Sequence, residues 1–491
     1  MKYLRALFVL LVLSPNAWAD KRVPEKFAAI RQRIQQQLSE QIPSLSLAVA
    51  QDGRIIWEEA FGFADLATRT PASESTMYSI ASITKPMTAT AVMTLVRDGK
   101  IALDQPIDRY LGGARLTARI GNAADATVRR VLDHTSGLPV HAQFFFADEA
   151  TRPPPMPVTI QRYANLITPP GERYVYSNLG YGLLNYVISQ TSRVSYADFM
   201  QREVFAPLGM KNTSVDIVPG RERQAATRYD RDGTPLPCYD FDHPGASAVF
   251  SSAHDVALFG MFHLKDPLRG QRLILTDAQL DTMHRPAAAD VPYGLGFSVD
   301  DHNGYRVISH SGGMVGVATE MLLIPSEDIA IVALANSATA LPFEVAQSIA
   351  STLLPHWKPT PLRVERKPPA FVVPEQLAGA WSGRLATWQG DLPVALSFQA
   401  DGDVHITLGD QLQTLVSGAS FEQGRFTGTF LSFIDTADTA RYDHVIDLEL
   451  TLRGNRLTGG AKAAAARSGK RGLRVRNALT SWVELERAAL H

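Results

Sequence analysis

The chain of 491 residues contains a single cysteine, Cys238. One thiol excludes an internal disulfide, a cysteine-based zinc site and paired redox chemistry. It follows Pro235 and Pro237 in a loop instead of opening a helix, where a thiolate would be favoured, so it makes a poor nucleophile. Charge of one sign is also lacking. With 48 basic and 49 acidic residues the net charge is −1, so no global field recruits nucleic acid or an anionic membrane. No apolar run reaches the length of about 20 residues that a membrane-spanning helix needs. The patterns His-Glu-x-x-His, Gly-x-Ser-x-Gly and Gly-x-x-x-x-Gly-Lys are missing, which argues against zincins, α/β-hydrolases and P-loop enzymes. No carboxylate pair stands out for glycosidase chemistry.

What is there is a globular composition, 45% hydrophobic and 20% charged, long enough for one large domain and a smaller one. Residues 1–19 have the form of a secretory signal. Lys2 and Arg5 precede the apolar run Leu7 to Leu13, and Ala17-Trp18-Ala19 forms a cleavage site before Asp20. This predicts a periplasmic or secreted protein; an uncleaved anchor is the alternative. No Cys follows the apolar run, so lipidation is not indicated.

Apolar spacing from Pro24 to Gln41 is helical, and Pro43 ends it. Leu45 to Ala50 and Arg54 to Phe61 form strands joined at Asp52-Gly53, a hairpin signal. Helices follow over Thr84 to Arg97, Gly180 to Gln190 and Tyr196 to Phe205. Arg306 to His310, Glu320 to Ile324 and Ile329 to Ala335 form an antiparallel set, and residues 345–354 a helix that returns onto it. Strands at both ends with helices between predict an α+β domain over residues 20–355. Its antiparallel sheet is assembled from both ends and flanked by helices, with an all-helical insertion. Residues 356–373 are a Pro-rich basic linker. From 374 to 491 helical spacing disappears. Alternating runs such as Val404-Ile406-Leu408 predict an all-β, barrel-like domain.

A serine hydroxyl needs a base beside it to attack a carbonyl. Ser82 and Lys85 stand at i and i+3, positions that share a helix face. Ser82 lies at the start of the Thr84 helix, where unsatisfied N–H groups favour developing negative charge. Pro86 is tolerated in that first turn. Met87, Ala89, Ala91, Val92 and Leu95 mark a buried helix, and a buried lysine has a lowered pKa. On its own the run is weak, since a capping Ser and a surface Lys are the plainer reading. Two further segments strengthen it. Tyr176-Ser177-Asn178 precedes a helix; a Tyr near a Lys serves as phenolate or proton relay, and an Asn amide binds a carbonyl. His310-Ser311-Gly312-Gly313 ends a strand, where glycines admit a substrate backbone and N–H groups complete an oxyanion hole.

The order Ser82-x-x-Lys85, Tyr176-Ser177-Asn178, His310-Ser311-Gly312 resembles the serine hydrolase family of class C β-lactamases, penicillin-binding proteins, related esterases and D-aminopeptidases. His134-Thr135-Ser136-Gly137-Leu138, Pro170-Gly171 and Pro207-Leu208-Gly209-Met210 resemble segments of the same family. The resemblance covers residues 25 to 355. It implies an acyl-enzyme on Ser82, with Lys85 and Tyr176 sharing the proton work. It implies Asn178, His310, Ser311, Gly312 and Gly313 as substrate-binding residues, with the N–H groups of Ser82 and Gly313 as the oxyanion hole. No cofactor or metal is implied. One departure matters. The third segment is usually Lys-Thr-Gly, whose fixed charge favours a substrate carboxylate; here His310 is mostly neutral near pH 7. This favours an ester or the amide of a D-amino acid or small peptide over a β-lactam. A β-lactamase or DD-peptidase is the second reading, and a catalytically silent scaffold that binds cell-wall fragments the third. Leu377 to Gly383 resembles, more weakly, the start of the lipocalin-like barrels appended to D-aminopeptidases.

Other features have plainer readings. His134 belongs to a structural turn. Asp240, Asp242 and His243 suggest a metal cluster but read as a solvated loop. Phe144-Phe145-Phe146 either lines an acyl pocket or is buried under a loop. The basic tract from Lys462 to Arg476 offers weak contact with anionic envelope components, or is a solvated face. The expected partner is a small-molecule or short-peptide substrate, without nucleic acid.

Overall fold

In the computed structural model residues 24–39, 41–266, 270–361, 370–469 and 472–488 are described. The signal-like residues 1–19 and linker residues 362–369 lie outside them. So do Lys470, Arg471 and the side chains of Arg467, Arg474 and Arg476, while Lys462 pairs with Asp447 at 3.0 Å.

The strand Ser44–Gln51 is buried along its length, with apolar or small side chains on both faces, which suits the middle of a sheet. Asp52 and Gly53 both take left-handed φ, and the chain reverses there into Arg54–Asp65. On its other side Ser44–Gln51 pairs antiparallel with Ile329–Ala335, in the register Leu45 to Ala335. Val317–Ile324, Tyr305–Met314 and Ser298–His302 extend that edge, so one seven-stranded sheet joins the two ends of the domain.

Alternation decides what covers each face. Leu47, Val49 and Ile331 form a core cluster with Ile34 of the helix Ala28–Gln37 and Val345 of Leu341–Leu353. Ala48, Ala330 and Val332 belong to the second cluster, with Thr84–Arg97 and Ala253–His263. Each fully buried Leu, Ile or Val contributes about 1.5–3 kcal/mol. The insertion is mainly helical. It also carries strands of two to five residues, among them Tyr78–Ser79, Val249–Ser251 and Ala142–Phe146, too short to show a period in sequence.

Beyond residue 378 the chain forms a nearly closed antiparallel barrel around Trp381, Phe398, Phe426 and Leu448. Its last strand, Gly472–Arg487, runs past the barrel. Asn477 and Ala478 pair with Gln143 and Ala142, and Ala142–Phe146 pairs in turn with Tyr239–Phe241. The barrel sheet is therefore continuous with a strand of the larger unit.

Candidate active site

The nucleophile turn begins at Ala81, a non-glycine residue at φ 47. Such a conformation costs on the order of 1–3 kcal/mol and persists only where the surroundings impose it. Here the restraint comes from both sides. Phe250 pairs with Ser79, and Thr319 Oγ1 donates to the Ile80 carbonyl at 3.0 Å. Ser82 then sits in the 3-10 turn Ala81–Ile83 that feeds the helix Thr84–Arg97.

Lys85 has no exposed surface. Its Nζ lies 3.0 Å from Ser82 Oγ, donates to Asn178 Oδ1 at 2.8 Å and to the Ala246 carbonyl at 3.2 Å. Burial, with no ion pair to offset it, pushes the amine well below its ordinary value. A neutral amine has two hydrogens and one lone pair. Asn178 and Ala246 take the hydrogens, which leaves the lone pair directed at the Ser82 hydroxyl.

Tyr176 hydrogen-bonds Ser82, and Lys85 Nζ lies 4.7 Å from the Tyr176 ring centre. Desolvation raises the phenol above its usual range, so it is a protonated donor and not a phenolate. Ser177 caps the helix Asn178–Ser192 by accepting from Gly180 N. Asn178 is thereby fixed at the first helical position, and its Nδ2 donates to the His141 carbonyl at 2.7 Å.

His310 is placed differently from a substrate-contacting residue. Its Nδ1 bonds the Ser311 carbonyl at 2.7 Å, so Nδ1 carries the hydrogen and Nε2 accepts from Tyr293 at 3.0 Å. Both nitrogens are used within the protein. Burial, then the nearby Lys85, pushes the imidazole down to about 3, so it is neutral at physiological pH. Ser311, Gly312 and Gly313 do line the cavity. At Gly312 a Cβ would stand 2.2 Å from Thr319 Oγ1 and 2.4 Å from the Ile80 carbonyl; at Gly313 it would meet nothing within 4 Å. Gly312 thus lets the strand press onto the nucleophile turn, while Gly313 keeps the cavity open.

That cavity, about 820 Å³, reaches from Ser82 and Asn178 to Phe144 on one side and Glu320 on the other. Glu320 is buried, and desolvation raises its carboxyl to about 8. His134, at φ 63, accepts from Ser177 N and has no exposed role.

The loop carrying Asp240, Asp242 and His243 departs from the solvated reading. Asp240 is exposed, but Asp242 and His243 are buried with His141. His141 comes from a segment 101 positions away, which no local spacing reveals. The donor atoms of the three lie within 4.8 Å of one another. They are joined by hydrogen bonds: Asp242 accepts from His141 Nε2 at 2.8 Å and from His243 Nδ1 at 2.6 Å. Phe144, Phe145 and Phe146 are buried, and Phe144 also lines the cavity.

This fold, with a buried lysine on a serine beside a glycine-rich strand, defines a β-lactamase-fold serine hydrolase. The chain belongs to the Beta-lactamase family, whose model matches residues 30–353. It is similar to penicillin-binding protein 4* of Bacillus subtilis, 26% identical over 61% of this chain and 70% of that protein. Unguisins hydrolase ungD' of Aspergillus campestris is 28% identical over 60% of this chain; the chain spans only 59% of that relative. Among solved structures, the octameric penicillin-binding protein homologue from Pyrococcus abyssi shares 20% identity with a TM-score of 0.57. It covers 93% of this chain and 99% of its own.

Proposed function

We propose that this protein is an exported serine hydrolase that works through a Ser82 acyl-enzyme on a carboxylic ester or on the amide of a D-amino acid or small peptide. The observation that carries this reading is the fully buried Lys85 amine, 3.0 Å from Ser82 Oγ. Ser82 Oγ attacks the carbonyl carbon while its proton passes to the Lys85 lone pair. The N–H groups of Ser82 and Gly313 take the developing oxyanion, an arrangement worth about 3–4 kcal/mol. The proton then moves through Tyr176 to the leaving oxygen or nitrogen. Water, activated along the same path, releases the acid. Export rests on the signal-like residues 1–19.

The neutral His310 supports esters and amides over β-lactams, because no fixed charge stands at that place for a substrate carboxylate. The β-lactamase or DD-peptidase reading draws on the names of relatives and is separable by a fluorescent penicillin. Stable labelling supports a penicillin-binding protein, rapid nitrocefin turnover a β-lactamase. For the main reading, a p-nitrophenyl ester should give a burst of p-nitrophenol stoichiometric with enzyme. Ser82→Ala should abolish it; an Ser82→Ala protein that turns the ester over at the wild-type rate sinks the assignment.

A further inference from the structure

We propose that His243 is a specificity-determining residue that accepts a hydrogen bond from a free amine on the acyl portion of the substrate. The enzyme would then prefer an amino-bearing acyl group to the same group N-acetylated. This rests on the Ser82 reading above.

Asp242 holds one carboxylate oxygen on each histidine, 2.8 Å from His141 Nε2 and 2.6 Å from His243 Nδ1. Both nitrogens therefore carry their hydrogens toward Asp242. On His141 the remaining Nδ1 is buried without a partner. On His243 the remaining Nε2 keeps its lone pair, and His243 lines the cavity. Burial holds the His243 imidazole below its ordinary value, while its two partners, His141 first, hold the Asp242 carboxyl far below the usual carboxylate range despite burial. Asp242 thus fixes the His243 tautomer that leaves an acceptor nitrogen on a residue lining the cavity.

His243 sits beside the groups that hold Lys85 and Asn178. His243 immediately precedes the short helix Pro244–Ser247, whose Ala246 carbonyl binds Lys85. The His141 carbonyl holds Asn178. Ala142, Phe144 and Met314 line the same cavity and give it apolar surface for a side chain. The charge balance agrees. Among the described residues lining the cavity Arg231 is the one permanent cation, against the carboxylates of Asp230 and Asp232, while burial favours the neutral form of Glu320. An ammonium is favoured there and an anionic or acylated group is not.

The test compares D-phenylalanine p-nitroanilide with its N-acetyl form, using the full-length protein. The wild type should prefer the free amine at least tenfold in kcat/KM. In His243→Leu that ratio should fall to about 1, whatever the overall rate. Binding is read separately, by calorimetry of Ser82→Ala with D-phenylalaninamide and N-acetyl-D-phenylalaninamide. The free amine should bind at least tenfold tighter. Equal affinities, or a ratio that His243→Leu leaves intact, overturns the proposal. So does loss of the preference after EDTA, which would make the trio a cation site. An absent p-nitrophenyl acetate burst in the wild type would instead remove the Ser82 reading, and calorimetry would still decide the amine preference.

Discussion

Lys85 is chemically useful because it is expensive. Burying an ammonium without a counter-ion is costly, so burial pushes the Lys85 amine well below its ordinary value, toward the neutral base. Arginine does not release its proton in this way. Lys85→Arg should therefore lower kcat/KM for a p-nitrophenyl ester at least 10³-fold, as should Lys85→Ala, read by steady-state kinetics. Two histidines make a second residue-scale prediction. His310 and His284 are each pushed down to about 3, chiefly by burial. A folded value below the unfolded one, about 6.5, means the unfolded chain takes up protons first. The stability they contribute is complete above pH 6.5 and is lost as pH falls toward 3. Between pH 7 and 5 each should cost about 2 kcal/mol. Urea denaturation at the two pH values checks this, and His310→Asn should flatten the decline. Glu320 has the opposite sign. Its carboxyl is raised to about 8, so its contribution is complete below the unfolded value, about 4.3, and is lost as pH rises from there to about 8. Glu320→Gln should flatten the decline between about pH 5 and 8, read by urea denaturation.

At the scale of elements, the strand Tyr305–Met314 and the nucleophile turn are held together at Gly312. Gly312→Ala places a methyl against Thr319 Oγ1 and the Ile80 backbone, and must displace one of them. It should lower ester turnover at least 100-fold, since a 1 Å misplacement of a nucleophile costs about that much. Gly313→Ala meets no atom, so its melting temperature should match wild type while Gly312→Ala melts lower. How much of this was legible follows from the same distinction. Thr84–Arg97 and Ile329–Ala335 were readable to the residue, because apolar period and breakers are local signals. Ser82, Lys85, Tyr176 and Asn178 were legible as motifs. That Asn178 would occupy Lys85, and that His310 would spend both nitrogens inside the protein, were not, since those bonds join segments about a hundred residues or more apart or depend on burial. The joining of His141 to Asp242 was hidden for the same reason.

For the whole molecule, the barrel backs a strand of the cavity wall. Its last strand pairs with Ala142–Phe146, Asn477 Oδ1 accepts from Phe144 N at 3.2 Å, and Tyr163 donates to Asp438 at 2.6 Å. Alternation in sequence showed that a β-domain follows the linker, but pairing between a terminal strand and a five-residue strand leaves no trace in either. Cleaving the linker and removing the barrel should therefore uncover the Phe144 strand, lower the melting temperature of the remaining domain and raise KM for bulky acyl groups more than for acetate. Steady-state kinetics on a series of p-nitrophenyl esters would show this as a KM ratio that grows with acyl size.

The central claim is the covalent bond to Ser82. Peptide mapping by mass spectrometry, after quenching a reaction with a slowly released p-nitrophenyl ester in acid, tests it most directly. The account predicts one acyl adduct per chain, on the peptide containing Ser82 and on that side chain. An adduct on any other residue, or turnover of the ester with no adduct at all, would contradict it.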